Sequence, residues 1–352
     1  MGSSLRDVAR LAGVSVKTVS NVVNDYVHVT EGTRERVRRA IAELNYRPNP
    51  AARSLRKRRS GLIGLAVPEL GIPYFSELAS LIIDAAAEQS WTVLVDQTNG
   101  LVERELLVSE GIRSHLLDGL IFSPLAMDAE QLARRQDDTP LVLLGERVFD
   151  GPADHVAIDN VAAARDATAH LVSLGRRRIA AIGDQRHVPT GRTAHLRLAG
   201  YRQALTEAGL PYDEDLVLPA DDYHRADGAA SMARLLELPA PPDAVLCFAD
   251  LLALGALRTL LAAGRRVPED VAVAGFDDIE DGRFSTPTLT TIRPDKEQIA
   301  RLAVSFLLSR SQDGLATPPR EVQARYDLVV RESTAGRPAD RPARRSATRA
   351  RT

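Results

Sequence analysis

A chain of 352 residues is too long for one compact core, and its length predicts two or three domains. Its 44% of hydrophobic and 26% of charged residues are typical of a globular protein, and no run of about 18 apolar residues predicts a membrane span. Because residues 1–10 lack the apolar core of a signal peptide, we expect a cytoplasmic protein without a membrane partner. Cys247 is the only cysteine, so no intrachain disulfide can form.

The charge is strongly segregated along the chain. Residues 1–60 carry a net charge of +8 and residues 335–352 carry +5, whereas residues 61–334 carry −15. A basic head on an acidic body indicates a polyanion-binding module joined to a domain that does not bind polyanions. Both a nucleic acid and an acidic membrane surface fit this pattern.

The basic head has the pattern of three short helices. Apolar residues recur at helical spacing over 5–12, and Gly13 and Ser15 suit a tight turn and the cap of a second helix. That helix is predicted over Val16–Asn24, and a third over Thr33–Asn45 with Thr30 as its cap. Two helices joined by so short a turn form a helix-turn-helix, and residues 1–48 are predicted to be this domain.

At this point the sequence resembles the lactose-repressor (LacI/GalR) family of bacterial transcription regulators. The segments that carry the resemblance are Asp7–Ala9, Ala12–Ser15, Thr18–Ser20, Val23–Asn24, Thr33–Arg34, Leu44–Tyr46, Pro48–Asn49 and Ala52–Leu55. The resemblance implies a homodimer that binds double-stranded operator DNA, is associated with the nucleoid and responds to a sugar-like effector.

The second helix of such a motif lies in the major groove and reads base edges near its N-terminal end. Lys17 can donate to guanine, Asn21 can pair with adenine, and Val16 can contact a thymine methyl group. The residues predicted to contact DNA in the head are Ser15, Val16, Lys17, Thr18, Ser20, Asn21, Thr33 and Arg34. For the hydroxyl-bearing members, helix capping is an equally good interpretation.

Residues 49–60 are predicted to be a hinge. Asn49 can cap a short helix that begins at Pro50, and a helix of about two turns is marginal in water without a partner. The resemblance implies that paired hinge helices enter the minor groove, where Leu55 wedges a base step open. Asn49, Arg53 and Leu55 are therefore predicted DNA contacts.

Residues 61–334 alternate apolar strands with helices. This pattern predicts an α/β sensor of two doubly wound parallel-sheet lobes, similar to periplasmic binding proteins, after the all-α head. Lobe 1 is predicted at about 61–159 and 291–318, and lobe 2 at about 160–290 and 319–333. Residues 335–352 are predicted to be a disordered basic tail, and their lack of leucine heptads favours a dimer.

In such folds a ligand binds at the carboxyl ends of the strands, here in the cleft between the lobes. The residues predicted to contact the effector are Tyr74, Phe75, Glu146, Arg147, Arg197, Tyr223 and Asp277. Carboxylates can accept from sugar hydroxyls, and tyrosines can stack on a ring face. Arg147 favours an acidic ligand if it faces the cleft, and a salt bridge with Glu146 is the alternative. Phe75 could instead be a residue of the hydrophobic core, and Asp277 could instead cap the turn that follows it.

Three other classes of protein fit the sequence less well. An enzyme is disfavoured because no dinucleotide fingerprint, phosphate loop, metal-ligand cluster or nucleophile elbow occurs, and no cofactor or catalytic residue is expected. A secreted sugar-binding protein would need a signal peptide. An architectural DNA-binding protein would need no polar cleft. Induction and corepression both fit the predicted regulator.

Overall fold

The computed structural model describes residues 4–23, 26, 28–46, 60–111, 116–146, 148–149, 151–185, 192–313 and 317–336. The chain divides into two compact units, Met1–Leu62 and Ile63–Thr352, which are described separately below. No helix within these described ranges is long and apolar enough to cross a bilayer.

The first unit is a three-helix head, as predicted. Its helices are α1 (Leu5–Ala12), α2 (Val16–Val23) and α3 (Glu31–Glu43). Gly13 adopts a φ of 63° after α1, and the Thr18 amide donates to Ser15 Oγ at 3.0 Å. The predicted turn and cap are therefore confirmed.

The small core of the head lies between all three helices. Its buried apolar side chains are Val8, Ala9, Ala12, Val19, Val22, Val37 and Ala40. The third helix begins two residues earlier than predicted, directly after Thr30. The Thr30 side chain makes no capping bond to the helix, and its hydroxyl instead donates to that of Thr33 at 3.0 Å.

The second unit contains two six-stranded sheets. The strands of sheet 1, in spatial order, are β11 (Glu321–Ala324), β5 (Asp154–Ile158), β4 (Leu141–Leu144), β3 (Leu120–Phe122), β1 (Leu62–Val67) and β2 (Thr92–Gln97). Those of sheet 2 are β12 (Tyr326–Val329), β10 (Thr290–Pro294), β9 (Ala272–Phe276), β8 (Ala244–Cys247), β6 (Ile179–Asp184) and β7 (Val217–Pro219). Strand β12 runs antiparallel to β10, whereas β10, β9, β8, β6 and β7 pair in parallel.

Helices connect the strands and cover the sheets. They are α4 (Pro73–Glu88), α5 (Val102–Ser109), α6 (Ala129–Ala133), α7 (Asn160–Ser173), α8 (Arg192–Glu207), α9 (Arg225–Leu236), α10 (Asp250–Ala262), α11 (Glu280–Phe284), α12 (Lys296–Asp313) and α13 (Glu332–Ala335). The predicted α/β architecture with two doubly wound lobes is confirmed.

The strand order corrects the predicted lobe boundaries. The sequence pattern places 291–318 in lobe 1, but β10 pairs with β9 in sheet 2, so the chain returns to lobe 1 only after Pro294. The pattern places 319–333 in lobe 2, but β11 pairs with β5 in sheet 1, and only β12 pairs within sheet 2. The predicted tail also began one residue early, because Ala335 ends α13. Residues 337–352 lie outside the described residues.

Candidate nucleic-acid interface and effector cavity

The residues predicted to read bases lie along α2 of the head. Ser15, Val16 and Lys17 are exposed at its N-terminal end, and Val16 exposes 37% of its surface although it is apolar. Ser20 and Asn21 are half-buried one turn further on. A helix whose first turn presents one long cation and one apolar side chain has the form that major-groove reading needs.

Several residues predicted to contact DNA also have partners within the head. The hydroxyls of Ser15 and Thr18 lie 2.8 Å apart, and Arg34 Nη2 donates to the Tyr26 carbonyl at 3.0 Å. Arg34 therefore also binds Tyr26 before α3, a contact that the charge pattern did not reveal. The predicted contacts Asn49, Arg53 and Leu55, together with Arg147 of the second unit, lie outside the described residues.

A cavity of about 610 Å³ lies between the two lobes of the second unit, and we call it the effector cavity. Six of the seven residues predicted to contact an effector line it: Tyr74, Phe75, Glu146, Arg197, Tyr223 and Asp277. Both lobes contribute, because Tyr74, Phe75 and Glu146 follow strands of sheet 1, whereas Arg197, Tyr223 and Asp277 belong to lobe 2. The cavity lies at the carboxyl ends of strands, which is where ligands bind in open α/β sheets.

Arg197 is the central cation of the effector cavity, although only 7% of its surface is exposed. Its Nε donates to Asn160 Oδ1 at 2.8 Å, and its Nη1 donates to the Phe248 carbonyl. The guanidinium carbon lies 3.8 Å from the centre of the Phe276 ring, and Nη2 lies 3.9 Å from Asp277 Oδ1. These contacts on several sides fix the guanidinium plane, as bidentate recognition requires.

Glu146 connects the two lobes across the effector cavity. Asn160 Nδ2 donates to its Oε1 at 2.8 Å, and Thr193 Oγ1 donates to its Oε2 at 3.0 Å. Both donors lie in the first turns of lobe 2 helices, α7 and α8, whereas Glu146 follows β4 of lobe 1. Asn160 thus joins Glu146 to Arg197. The sequence did not identify it as a site residue, although it directly follows Asp159, which caps α7.

Aromatic rings form the apolar wall. Tyr74 and Phe75 contact each other edge to face with their ring centres 5.3 Å apart, and Tyr223 donates its hydroxyl to the Gly183 carbonyl at 2.8 Å. Burial raises the pKa of both tyrosines, so their hydroxyls stay protonated at neutral pH. Rings beside polar groups are typical of sugar sites. Phe75 is only partly buried and packs on the core as well as lining the cavity.

A second set of interlobe contacts was not predicted from the sequence. His224 Nε2 lies 3.3 Å from Glu69 Oε2, and the Glu280 amide of lobe 2 donates to Glu77 Oε1 of α4 at 3.1 Å. Lys296 donates to Glu77 and to the Asp277 carbonyl, the latter at 2.9 Å. No sequence pattern marks the contacts of Glu69 and Glu77, because their partners His224, Glu280 and Lys296 lie more than 150 positions away.

Asp277 lies in the wall of the effector cavity with a φ of 109°, and 9% of its surface is exposed. Burial raises its pKa to about 6, although Arg197 and Lys296 act in the opposite direction. Neighbouring Asp250 is fully buried, and burial likewise raises its pKa. The predicted turn-capping alternative for Asp277 is not what the described contacts show, since Lys296 binds its carbonyl and Arg197 lies beside its carboxylate.

The raised pKa of Asp277 predicts a pH dependence of stability. Its ordinary pKa is 3.8, so the folded state holds the proton more tightly than the unfolded chain. The free energy of unfolding should therefore fall by about 3 kcal/mol as the pH rises from about 4 to 6. Urea unfolding at several pH values should show a fall about 3 kcal/mol larger in the wild type than in Asp277→Asn, which keeps the contribution of Asp250. Parallel pH profiles for the two proteins would contradict the prediction.

The described part of the chain contains no group of three or more His, Cys, Asp or Glu side chains arranged to hold a metal ion. A helix-turn-helix head followed by a two-lobed domain with a polar cleft defines a class of protein: DNA-binding regulators that respond to a small molecule. Comparison with known proteins places the chain within this class.

Residues 4–49 match the family described as bacterial regulatory proteins, lacI family, and residues 168–334 match a periplasmic binding protein-like domain. The chain is 34% identical over 339 residues to the transcriptional repressor CytR of Escherichia coli (strain K12), covering 96% of this chain and 97% of CytR. It is 37% identical over 339 residues to the regulator CelR of Thermobifida fusca, covering 94% and 98%.

Solved structures agree with these matches. The lac repressor dimer bound to operator and the anti-inducer ONPF superposes with a TM-score of 0.84 at 31% identity, covering 95% of this chain and 99% of that one. A complex of a regulator CelR with cellobiose gives a TM-score of 0.70 at 34% identity, covering 94% and 99%. The chain belongs to the LacI family, and it is a DNA-binding transcriptional regulator. The relatives named here are regulators and not enzymes.

Proposed function

We propose that this protein is a dimeric, cytoplasmic repressor associated with the nucleoid. A sugar bound in its effector cavity raises or lowers its affinity for the operator. The observation that carries this proposal is the position of Glu146, a lobe 1 carboxylate bonded to Asn160 and Thr193 of lobe 2. A ligand that competes for these bonds changes the free energy of one lobe arrangement relative to another. Ligand binding and lobe geometry are thereby coupled.

A neutral, hydroxyl-rich effector fits the described wall of the cavity best. Five carboxylates line it, from Glu69, Glu146, Asp221, Asp222 and Asp277, against the two guanidinium groups of Arg192 and Arg197. This balance disfavours an anionic ligand, because each extra negative charge would meet uncompensated carboxylates. The CelR complex contains cellobiose, a neutral sugar, which makes cellobiose the first candidate to test.

Membership of the family supports a dimer with a hinge that binds DNA. The lac repressor structure that superposes on this chain is a dimer on operator DNA, and we propose the same assembly here. Two heads would read the halves of a near-palindromic operator in adjacent major grooves. The residues of each head that we propose as contacts are Ser15, Val16, Lys17, Thr18, Ser20, Asn21, Thr33 and Arg34. Asn49, Arg53 and Leu55 of the hinge would enter the minor groove between them.

Selection of operator sequences from random duplex DNA tests the whole proposal. The purified full-length protein would be used without sugar and with cellobiose, ribose and other neutral or phosphorylated sugars. Enrichment of a palindrome that one neutral sugar abolishes or strengthens is the expected result. A palindrome that responds only to phosphorylated sugars would overturn the proposal of a neutral effector. Failure to enrich any sequence would overturn the proposal that the protein binds a specific DNA sequence.

We expect Leu55→Ala to weaken binding to the selected operator by at least about tenfold. Loss of the apolar wedge removes the contacts that offset the cost of unstacking a base step. Fluorescence anisotropy with labelled operator measures the affinity, and Leu116→Ala is a control at an exposed leucine of the body. Sugar binding and the unfolding temperature should stay at their wild-type values. Unchanged operator affinity in Leu55→Ala would remove the wedge from the proposal.

A further inference from the structure

Lys296 is a buried lysine that connects the two lobes beside the effector cavity. It is the first residue of α12, a helix that packs against α4 and sheet 1, and 8% of its surface is exposed. Its Nζ donates to the backbone carbonyls of Asp277 and Asp278, at 2.9 and 3.2 Å, and to the carboxylate of Glu77. An ammonium group has three N–H donors, so these three acceptors can satisfy all of them.

The two carbonyls belong to a turn with an unfavourable backbone conformation. Asp277 has a φ of 109° and Asp278 a φ of 47°, a region that residues other than glycine rarely occupy. Such residues persist only where the surrounding contacts hold them. Lys296 supplies contacts of this kind, because one cation binds the carbonyl oxygens of both residues. The Asp278 carbonyl also accepts a longer bond from Arg283, at 3.4 Å.

The conformation of this turn determines where the Asp277 carboxylate lies. The carboxylate lines the effector cavity, and its Oδ1 lies 3.9 Å from Arg197 Nη2. Because the direction of a side chain depends on its backbone dihedral angles, a change in the turn would move this carboxylate relative to Arg197. Lys296 itself is not among the described residues that line the cavity. Its effect on a bound effector must therefore pass through the residues that it holds.

Glu77 holds Lys296 from α4, the helix that also carries part of the aromatic wall. One carboxylate oxygen, Oε2, contacts Lys296 Nζ, and the other accepts from the Glu280 amide at 3.1 Å. Glu77 lies one turn after Tyr74, whose ring centre is 5.8 Å from Lys296 Nζ. Since an ammonium group is unfavourable in a buried site without a neighbouring anion, Glu77 stabilises Lys296 in this position.

We propose that Lys296 is a positioning residue of the effector site: held by Glu77, its ammonium group fixes the turn at Asp277 and Asp278, so that the Asp277 carboxylate faces the effector. The effect on effector binding rests on the proposed function, since it requires the effector to lie in this cavity. The effect on the turn does not depend on the proposed function.

Two substitutions of Lys296 and one of Arg301 separate this role from a general loss of charge. Lys296→Met keeps the apolar stem but has no donor, whereas Lys296→Arg keeps the charge and can still donate to carbonyls. Arg301→Met is the matched control, because Arg301 lies on the same helix and pairs with Glu297 at 3.5 Å while 67% of each side chain stays exposed. Both methionine variants replace a long cation of α12, and only Lys296→Met removes the contacts to the turn.

Hydrogen exchange of the full-length protein without sugar tests the effect on the turn. The Asp277 amide donates to the Ile292 carbonyl at 2.8 Å, so a peptide spanning Phe276 to Glu280 reports on opening of the turn. Its exchange should be about tenfold faster in Lys296→Met and within about twofold of wild type in Arg301→Met and Lys296→Arg. Equal exchange in wild type and Lys296→Met would overturn the inference.

Glu77→Gln decides the question if Lys296→Met exchanges faster throughout the second unit. This variant keeps every donor of Lys296 and removes only the anion that holds it. Exchange of the same peptide should be at least about threefold faster than in wild type. A rate equal to that of wild type would then overturn the inference.

Calorimetry with cellobiose and ribose, arranged as a double-mutant cycle, tests whether Lys296 acts through Asp277. Sugar affinity should be about tenfold weaker in Lys296→Met and normal in Arg301→Met. In Asp277→Gly, which removes both the carboxylate and the backbone strain, adding Lys296→Met should change the affinity by less than about twofold. Normal affinity in Lys296→Met, or an equal loss in both backgrounds, would overturn the positioning role. Absence of sugar binding by the wild type, with the exchange results as expected, would count against the proposed function alone.

Discussion

Replacing Asp154 with asparagine is expected to lower the free energy of unfolding of the second unit by about 3–5 kcal/mol, because it leaves buried arginine charge without a counterion. Asp154 is fully buried, and only 5% of the surface of Arg310 is exposed. Arg310 donates to both carboxylate oxygens at 2.7 and 2.9 Å, and Arg320 donates to them at 2.6 and 3.2 Å. A neutral amide cannot accept from both guanidinium groups in this way.

The same cluster predicts how the effect depends on pH. Burial alone would raise the pKa of Asp154, but the hydrogen bonds from Arg310 and Arg320 outweigh it and hold the pKa far below 3.8. A lowered pKa stabilises the fold above the ordinary value, and this contribution is lost as the pH falls below it. The difference between wild type and Asp154→Asn should therefore be largest at neutral pH and shrink below about pH 4.

Urea unfolding followed by circular dichroism measures the predicted loss. Asp327→Asn is the matched control, because Asp327 pairs with Arg293 at 2.8 Å while 69% of its side chain stays exposed. An exposed pair of this kind contributes little, so this control should unfold close to the wild type. Equal losses of unfolding free energy in the two variants would contradict the prediction that the buried Asp154 cluster stabilises the fold more than an exposed ion pair.

The sequence predicted the parts of this protein that depend on local pattern. Helical spacing in the head, the turn at Gly13 and the alternation of apolar strands with helices after residue 61 follow from nearest neighbours along the chain. Strands β11 and β12 are short and partly exposed, so their apolar residues do not form a continuous run that would mark them in the sequence. Without β11 the third crossing between lobes could not be placed, which explains the wrong boundary at 319.

Some residues of the candidate site could be predicted from local sequence pattern, and others could not. Tyr74, Glu146 and Asp277 follow strands, and the rule for carboxyl strand ends was enough to place them at the cavity. Asn160 acts through Glu146 and Arg197, which lie 14 and 37 positions away, and only the folded chain brings these residues together. Long-range polar partners leave no periodic signal in a single sequence.

Replacing Arg197 with methionine is expected to remove the sugar response while operator binding without sugar is retained. The variant leaves Asn160 Oδ1 without its donor and Asp277 without the guanidinium beside it, inside a largely buried site. Breaking such an arrangement costs about 2–5 kcal/mol, or roughly 30-fold to several-thousand-fold in affinity. Arg197→Lys keeps the charge but not the planar fork or its stacking on Phe276, and it should recover only part of the response.

The same helix supplies the control for this experiment. Arg202 of α8 also covers an aromatic ring, with its guanidinium carbon 4.2 Å from the centre of Tyr212, and it donates to the Tyr212 hydroxyl at 2.7 Å. It does not line the effector cavity. Anisotropy titrations with labelled operator, with and without the sugar found in the selection, should show a normal response in Arg202→Met and none in Arg197→Met. A normal response in both would overturn the role of Arg197 in the sugar response, because a ligand that depends on the Arg197 network cannot respond normally once the guanidinium is gone.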